Sequence, residues 1–516
     1  MMKTIRTVVI YLLAISIIPL GVGVYIYSLE NNQDVVAIKQ SSDNEFEYFP
    51  KYEDKSPIIK VRNLLIKEKF EELNQYFSKL DNDLLSDISK ESLVSTSYST
   101  FYIEDPKYEK LFNLWVKKTP NKYSAYLSRG IYYFSMAWRE RGTNWASETT
   151  QEQFDGMYRY IKKANEDLIK ALELNQTAIY AYKTLIDISK AISDKETAKF
   201  LELKALEIHE ESFLIRKSYI HLLTPRWGGS FSEMTDYLRS VDTEPDGNPE
   251  LKYLFGYVEL EKAKELHYMN SYNLAFEHLK KSLLLGGENS KVYFQLGKNK
   301  IRQKDMKSGV KFLSQAIKNY SHDSEYYYWR AMAYMNLSEY EKAKDDILFA
   351  NALDPFDSFI INKKNQLANL LKDEAWQLKM NSEFKKAHKF YRIALEISPY
   401  NSYLYNSMAR TYIGEHKLEL ALESIKNAIT LNPNEIDHYI ILDYLLAKKK
   451  KWDEIIFYWD KYIELNPEDG RAYLERGGAY YHSGDMNKAV ENAKKSADLG
   501  YLEGKEAYAK FKHLAK

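Results

Sequence analysis

Hydrophobic positions along the chain fall into two regimes. Residues 7–29 carry no charge, and residues 8–27 read VVIYLLAISIIPLGVGVYIY, long enough at ~1.5 Å per residue to cross ~30 Å of hydrocarbon. Residues 30–55 are polar and low in aliphatics, as a linker is. Beyond them, apolar and small residues recur in helix-length blocks separated by short polar turns, a pattern that predicts helices throughout. The later blocks keep a fixed period: Pro399, Pro433 and Pro467 stand 34 residues apart, and so do Ala316 and Ala350. Within that period aromatic and small residues return to the same slots. Tyr405, Ala409, Tyr412, Ala421 and Ala428 are followed by Tyr439, Leu446 and Trp459, then by Tyr473, Gly477, Tyr480, Ala489 and Ala493. Earlier, Tyr293, Gly297 and Gly309 precede Tyr327, Ala331, Tyr334, Ala343 and Ala350.

A 34-residue period with these occupants resembles the tetratricopeptide (TPR) repeat family. Small residues let two antiparallel helices approach, aromatics fill the remaining space, and stacked units bury each other's faces. With the apolar run read as an N-terminal transmembrane helix, the resemblance implies an all-α chain in which that helix is followed by an α-α superhelical (TPR-like) solenoid. It also implies that four first-helix positions per repeat line a concave face able to hold an extended peptide or a helix. Those positions include Phe294, Tyr328, Met332, Tyr403, Asn406, Arg410, Tyr444, Arg471 and Tyr481. Aromatics, methionines and arginine are the types that anchor protein interfaces; the competing reading is packing between repeats. The Lys and Asn pattern of carboxylate-clamp repeats is not reproduced. Pro355 and Pro399 are 44 residues apart, which lengthens a helix pair near residues 359–380, and residues 248–287 carry an insertion.

Between linker and repeats, Ser56-Pro57 opens a helical run to Leu80, Asp105-Pro106 punctuates the chain again, and Thr150 with Gln153 forms a capping signature. The block AWRERG (residues 137–142), helices ending in KALELN, and PRWGGS (residues 225–230) in this order resemble the bacterial DUF4034 family over roughly residues 58–285. That family supplies no activity or residue role to carry over. The resulting division is anchor 1–29, linker 30–55, DUF4034-like helical domain 56–248, TPR array of about seven units 249–503, irregular near 249–289 and 358–401, and a capping helix 504–516.

Composition narrows the function. Lys plus Arg and Asp plus Glu both number 73, so no global basic excess draws the chain to nucleic acid. The absence of cysteine removes disulfides and thiolate chemistry. Histidines lack zinc spacing, and no phosphate loop or nucleophile elbow occurs, so no cofactor, metal, catalytic residue or small-molecule substrate is expected. Lys3 and Arg6 precede the apolar run while Glu30, Asp34, Asp43, Glu45 and Glu47 follow it, which predicts a cytoplasmic N-terminus and a body outside a bacterial inner membrane. No A-x-A-like site follows the run, so it reads as an anchor rather than a cleaved signal. The function these features predict is a membrane-anchored, noncatalytic scaffold for an unidentified protein or peptide in an envelope-associated assembly. The alternative is an enzyme or small-anion sensor built on the Arg226, Trp227, Gly228, Gly229, Ser230 turn with Trp138 and Arg141, where backbone N–H groups and arginine meet a helix N-terminus.

Overall fold

The computed structural model describes residues 49–241 and 247–515. The membrane anchor expected at residues 7–29 lies outside the described residues, among which no helix is long and apolar enough to cross a membrane. The described residues are helical, with no strand. They fall into two compact units, one of residues 46–363 and one that includes 364–516. The boundary differs from the division at residue 248 drawn from sequence pattern, and it lies inside helix Ser358–Met380.

In the first unit, consecutive helices pair as hairpins. Pro57–Ile66 packs on Phe70–Ser86, Tyr123–Arg141 on Gln151–Leu174, and Ile179–Ala191 on Lys195–Leu206. The repeat hairpins that follow are Tyr257–Tyr268 with Tyr272–Gly286, Ser290–Arg302 with Met306–Asn319, and Ser324–Asn336 with Tyr340–Leu353. The run expected from Ser56 to Leu80 is broken, because Glu68 adopts φ 55° and turns the chain into the second helix. Thr150 and Gln153 form the reciprocal capping box that their spacing predicts.

Turn geometry marks each repeat. Asn270, Lys304, Ser338, Ser382, His416 and Lys450 all take positive φ, and Gly484 takes the same place in the last hairpin. Small residues explain how closely the helices cross. A Cβ added to Gly297 would come within 2.6 Å of Leu313 Cγ, and one on Gly309 within 2.6 Å of Ile301 Cγ1. A second device clasps the two helices: Arg330 donates Nε and Nη2 to the Asp346 carboxylate at 2.7 Å each. Arg129 makes the same bidentate pair with Asp167, at 2.7 and 2.8 Å, inside the long hairpin of the N-terminal region. Planar two-bond pairing of this kind fixes helix register as well as adding energy.

The last repeat helix of the first unit returns to its first. Helix Tyr340–Leu353 packs on Pro57–Ile66, and buried Arg62 donates to the Ala352 and Leu353 carbonyls at 2.7 and 2.5 Å. The Thr96 hydroxyl meets the Tyr320 hydroxyl at 2.9 Å, and Tyr108 packs edge-on against Phe356. The N-terminal helices and the first repeats therefore share one core, running from Val61 and Phe77 to Val292 and Leu296.

The second unit stacks the hairpins Ser402–Gly414 with Leu418–Leu431, Ile436–Lys448 with Trp452–Leu465, and Gly470–Ser483 with Met486–Asp498. Helix Leu502–Leu514 closes the stack, its Phe511 ring lying flat on Tyr481 at 5.0 Å.

Candidate functional site

Helix Ile179–Ala191 reads IYAYKTLIDISKA, apolar on almost every side except for three charges, Lys183, Asp187 and Lys190. Their i, i+4, i+7 spacing puts them on one stripe, and because the other faces are buried too, the stripe is carried into the protein. Asp187 sits between the lysines, accepting from Lys183 at 2.8 Å and from Lys190 at 3.0 Å. Burial pushes the Asp187 carboxyl up, but the two ammonium groups outweigh it and hold the group well below the ordinary carboxylate range. Burial likewise works to lower Lys183, and Asp187 beside it raises it further than burial depresses it. Lys183 also donates to the Tyr102 hydroxyl at 2.7 Å and stands 5.0 Å from the Tyr102 and Tyr180 ring centres.

Helix Phe213–Leu222 brings Lys217, Ser218 and His221 to the same place. Lys190 donates to His221 Nδ1 at 3.2 Å; burial first and Lys190 second push this imidazole down to about 3, so it is neutral at pH 7. Phe134 and Trp138, one turn apart on helix Tyr123–Arg141, and Trp227 from the Pro225–Trp227 turn supply apolar walls. The two tryptophans meet edge to face at 6.1 Å, and Lys190 lies 5.4 Å from the Trp227 ring centre. With Tyr102 and Tyr257 these side chains enclose a cavity of about 380 Å³. Three lysines and one aspartate line it, leaving an excess of two positive charges.

Two donors on this wall lack acceptors. Lys217 makes no hydrogen bond or ion pair among the described residues; its ammonium lies 5.6 Å from the Phe213 ring centre. Burial, then the charges of Lys291 and Lys183, push it down to about 8. The Trp227 Nε1–H is buried and unpaired. Lys217, Tyr102 and Tyr257 also line an adjoining cavity of about 400 Å³ beside Lys291 and the acids Glu91, Glu250, Asp323 and Asp354, so Lys217 stands where the two spaces meet.

Of the residues singled out in the sequence, Trp138 and Trp227 are brought together on this wall, whereas Arg141 and Arg226 are not. Arg141 lies over Trp138 but donates to the carbonyls of Asn144 at 2.7 Å and Gly142 at 3.2 Å. Arg226 is exposed, 5.8 Å from the Trp145 ring centre, and lines a separate cavity of about 810 Å³ with Lys264, Lys298 and Arg302. Gly228 takes φ 79° to turn the chain, and a Cβ on Gly229 would fall 2.1 Å from the Leu223 carbonyl oxygen. Ser230 caps the next helix, accepting from the Glu233 N–H at 3.1 Å. Lys183, Asp187, Lys190, Lys217 and His221 escape motif reading. The signal for them is an aliphatic helix interrupted on a single stripe by charges, since a helix apolar all round is buried.

The nine groove positions divide between the units. In the first, Phe294 is buried against Tyr326 at 4.8 Å, while Tyr328 and Met332 are half-buried. In the second, Tyr403 is 52% exposed and donates its hydroxyl to Glu435 at 2.6 Å, and Tyr444 is 47% exposed. Arg410 is exposed, held by Nε donation at 2.9 Å to the Asn406 side chain, whose amide in turn donates to His438 Nδ1 at 2.8 Å. Arg471 is half-buried, 3.5 Å from Glu475, and Tyr481 lies under the final helix. Among the described residues no group of three or more His, Cys, Asp or Glu side chains could hold a metal ion.

Comparison with known proteins bears on the helices that carry these residues. Residues 57–198 and 193–245 match the family model described as Domain of unknown function (DUF4034), and residues 324–357 match that of the Tetratricopeptide repeat. No curated protein matches the chain. Among solved structures, the P58(IPK) TPR domain is 16% identical, covering 86% of this chain and 98% of its own, with a TM-score of 0.22. A pilF structure from Pseudomonas aeruginosa is 17% identical over 43% of this chain and 96% of its own, with a TM-score of 0.23. YrrB, titled a TPR protein with an unusual peptide-binding site, is 17% identical over 44% and 97%, with a TM-score of 0.20. Such likenesses concern the helical fold alone, and at these TM-scores nothing further about the chain rests on them. The described residues thus form a helical repeat fold, in a chain whose DUF4034 segment precedes a tetratricopeptide repeat.

Proposed function

We propose that the protein is a noncatalytic scaffold whose second unit holds a polypeptide segment along its first helices. The observation that carries this reading is the exposure of Tyr403, Arg410 and Tyr444 on helices whose other large residues, Tyr405, Met408, Tyr412, Leu442 and Leu446, are buried. Aromatic and arginine side chains left in solvent on one helix face are the residue types that dominate binding at interfaces. They are already oriented, Arg410 by Asn406 and Tyr403 by Glu435, which lowers the ordering cost of association. A photo-crosslinking residue placed singly at 403, 410 or 444 in the intact protein is expected to yield polypeptide adducts in native envelopes. One at Phe457, equally exposed on helix Trp452–Leu465, is the control; equal yields there would defeat the reading.

In the same proposal the apolar run at residues 7–29 tethers the scaffold to the membrane with its body outside the cytoplasm, a reading supported by the charge asymmetry about that run. Protease added to cells with a permeabilised outer layer is expected to digest the body while a cytoplasmic control survives. Protection of the body alongside that control would reverse the orientation.

A further inference from the structure

The cavity walled by Trp138, Trp227 and Lys217 joins an excess of positive charge to donors without acceptors, and the scaffold reading makes no use of either. An ammonium held partly out of water without an ion-pair partner is costly, and a buried N–H without an acceptor adds to that cost. Two such donors on one cavity wall share a simple remedy, an acceptor that enters the cavity. The Trp227 Nε1–H is buried and unpaired, and half-buried Lys217 makes no hydrogen bond or ion pair among the described residues. Neighbouring charge points the same way. Lys183 and Lys190 share one carboxylate, Asp187, and His221 stays neutral beside them; Glu250, the acid that acts on Lys217, lines the adjoining cavity and not this one. The remaining surface is flat and apolar, from Tyr102, Phe134, Trp138, Trp227 and Tyr257. At about 380 Å³ the space falls within the range of small-molecule sites.

We infer that this cavity binds a small organic oxyanion, a phosphate or carboxylate borne on a planar apolar group, with the oxyanion on Lys217 and Trp227 Nε1–H and the planar group between the aromatic walls. Apart from Tyr257, the site is built by the DUF4034 segment, and it is independent of the crosslinked face of the second unit, so either reading can fail without the other.

Calorimetric titration of the full chain with phenyl phosphate, benzoate, inorganic phosphate and uncharged benzamide tests the inference. Phenyl phosphate or benzoate is expected to bind at one site per chain and raise Tm, and to bind at least tenfold more tightly than benzamide. The arm that binds better identifies the oxyanion, and inorganic phosphate, lacking the planar group, is expected to be weaker than phenyl phosphate. Lys217→Met and Trp227→Phe, the latter keeping an aromatic ring while removing the N–H, are each expected to weaken binding at least tenfold. Lys204→Gln, which removes an exposed ammonium paired with Glu207, is expected to leave it unchanged. No saturable binding of either aromatic anion at millimolar concentration overturns the inference. So does affinity undiminished in both cavity variants, with circular dichroism establishing that each is folded.

Discussion

Replacing Arg62 by Met is expected to destabilise the first unit by ~3–4 kcal/mol, the scale of losing a buried charge and its hydrogen bonds. The last carbonyls of a helix have no partner within it and carry the negative end of its dipole. In helix Tyr340–Leu353 two of them, on Ala352 and Leu353, are satisfied by the Arg62 guanidinium, which also lies 5.8 Å from the Phe356 ring centre. Burial pushes the neighbouring Asp354 carboxyl up, and the charge of Arg62 works against that push, so the variant leaves a buried acid less compensated as well. Lysine at 62 presents one point charge where a planar fork served two carbonyls, and recovers only part of the loss. Because the chain has two compact units, global unfolding need not be a single transition. The decisive measurement is amide hydrogen exchange: Arg62→Met should deprotect residues 57–66 and 340–353 while leaving residues 436–498 unchanged. Unaltered protection of those two helices would refute the role given to Arg62.

Replacing Lys217 by Met is expected to act in the opposite direction and stabilise the ligand-free protein. In the unfolded chain this lysine holds its proton up to the ordinary value of 10.5, and in the folded chain up to about 8. Between those limits the unfolded state binds more protons, so the native state gains stability as pH rises from about 8 to 10.5. Below pH 8 the penalty is present in full, with a ceiling of ~3 kcal/mol and an expected size of ~1–2 kcal/mol where solvent reaches part of the side chain. Lys291, Lys183 and Lys264 deepen the penalty, and Glu250 relieves it. Urea midpoints at pH 7 and pH 9.5 check this. The wild type should gain stability relative to Lys217→Met as pH rises, and the variant should be the more stable at pH 7. Destabilisation at pH 7 would show that the ammonium has a partner. A residue that lowers stability while serving a site is the expected trade-off at functional positions.

The repeats were legible because their physics is local and periodic. Gly297 and Gly309, or Ala331 and Ala343, occupy slots where only a small side chain lets two helices cross, and that restriction recurs every 34 residues. Thr150 and Gln153 were legible for a related reason, since a capping box is completed within one helical turn. Glu68 was not, because the sequence around it continues in helix-forming residues and its left-handed turn depends on packing at either side. The cavity was half legible. Trp138 and Trp227 drew notice as large side chains in distinctive blocks, but their meeting depends on four α-helices that lie between them in the chain. Lys183, Asp187, Lys190 and Lys217 belong to no motif. Only the burial of the remaining faces of their helices turns them inward.

The contact between Arg62 and the end of helix Tyr340–Leu353 spans 290 positions of chain. Translation at roughly 5–20 residues per second delivers Arg62 to solvent well before its carbonyl partners exist, an interval of roughly 15–60 s at those rates. During that time the contacts between helices Pro57–Ile66 and Tyr340–Leu353 are unmade, and contacts of such long range are slow to form in any case. Closure of the first unit is therefore a late event in its biogenesis.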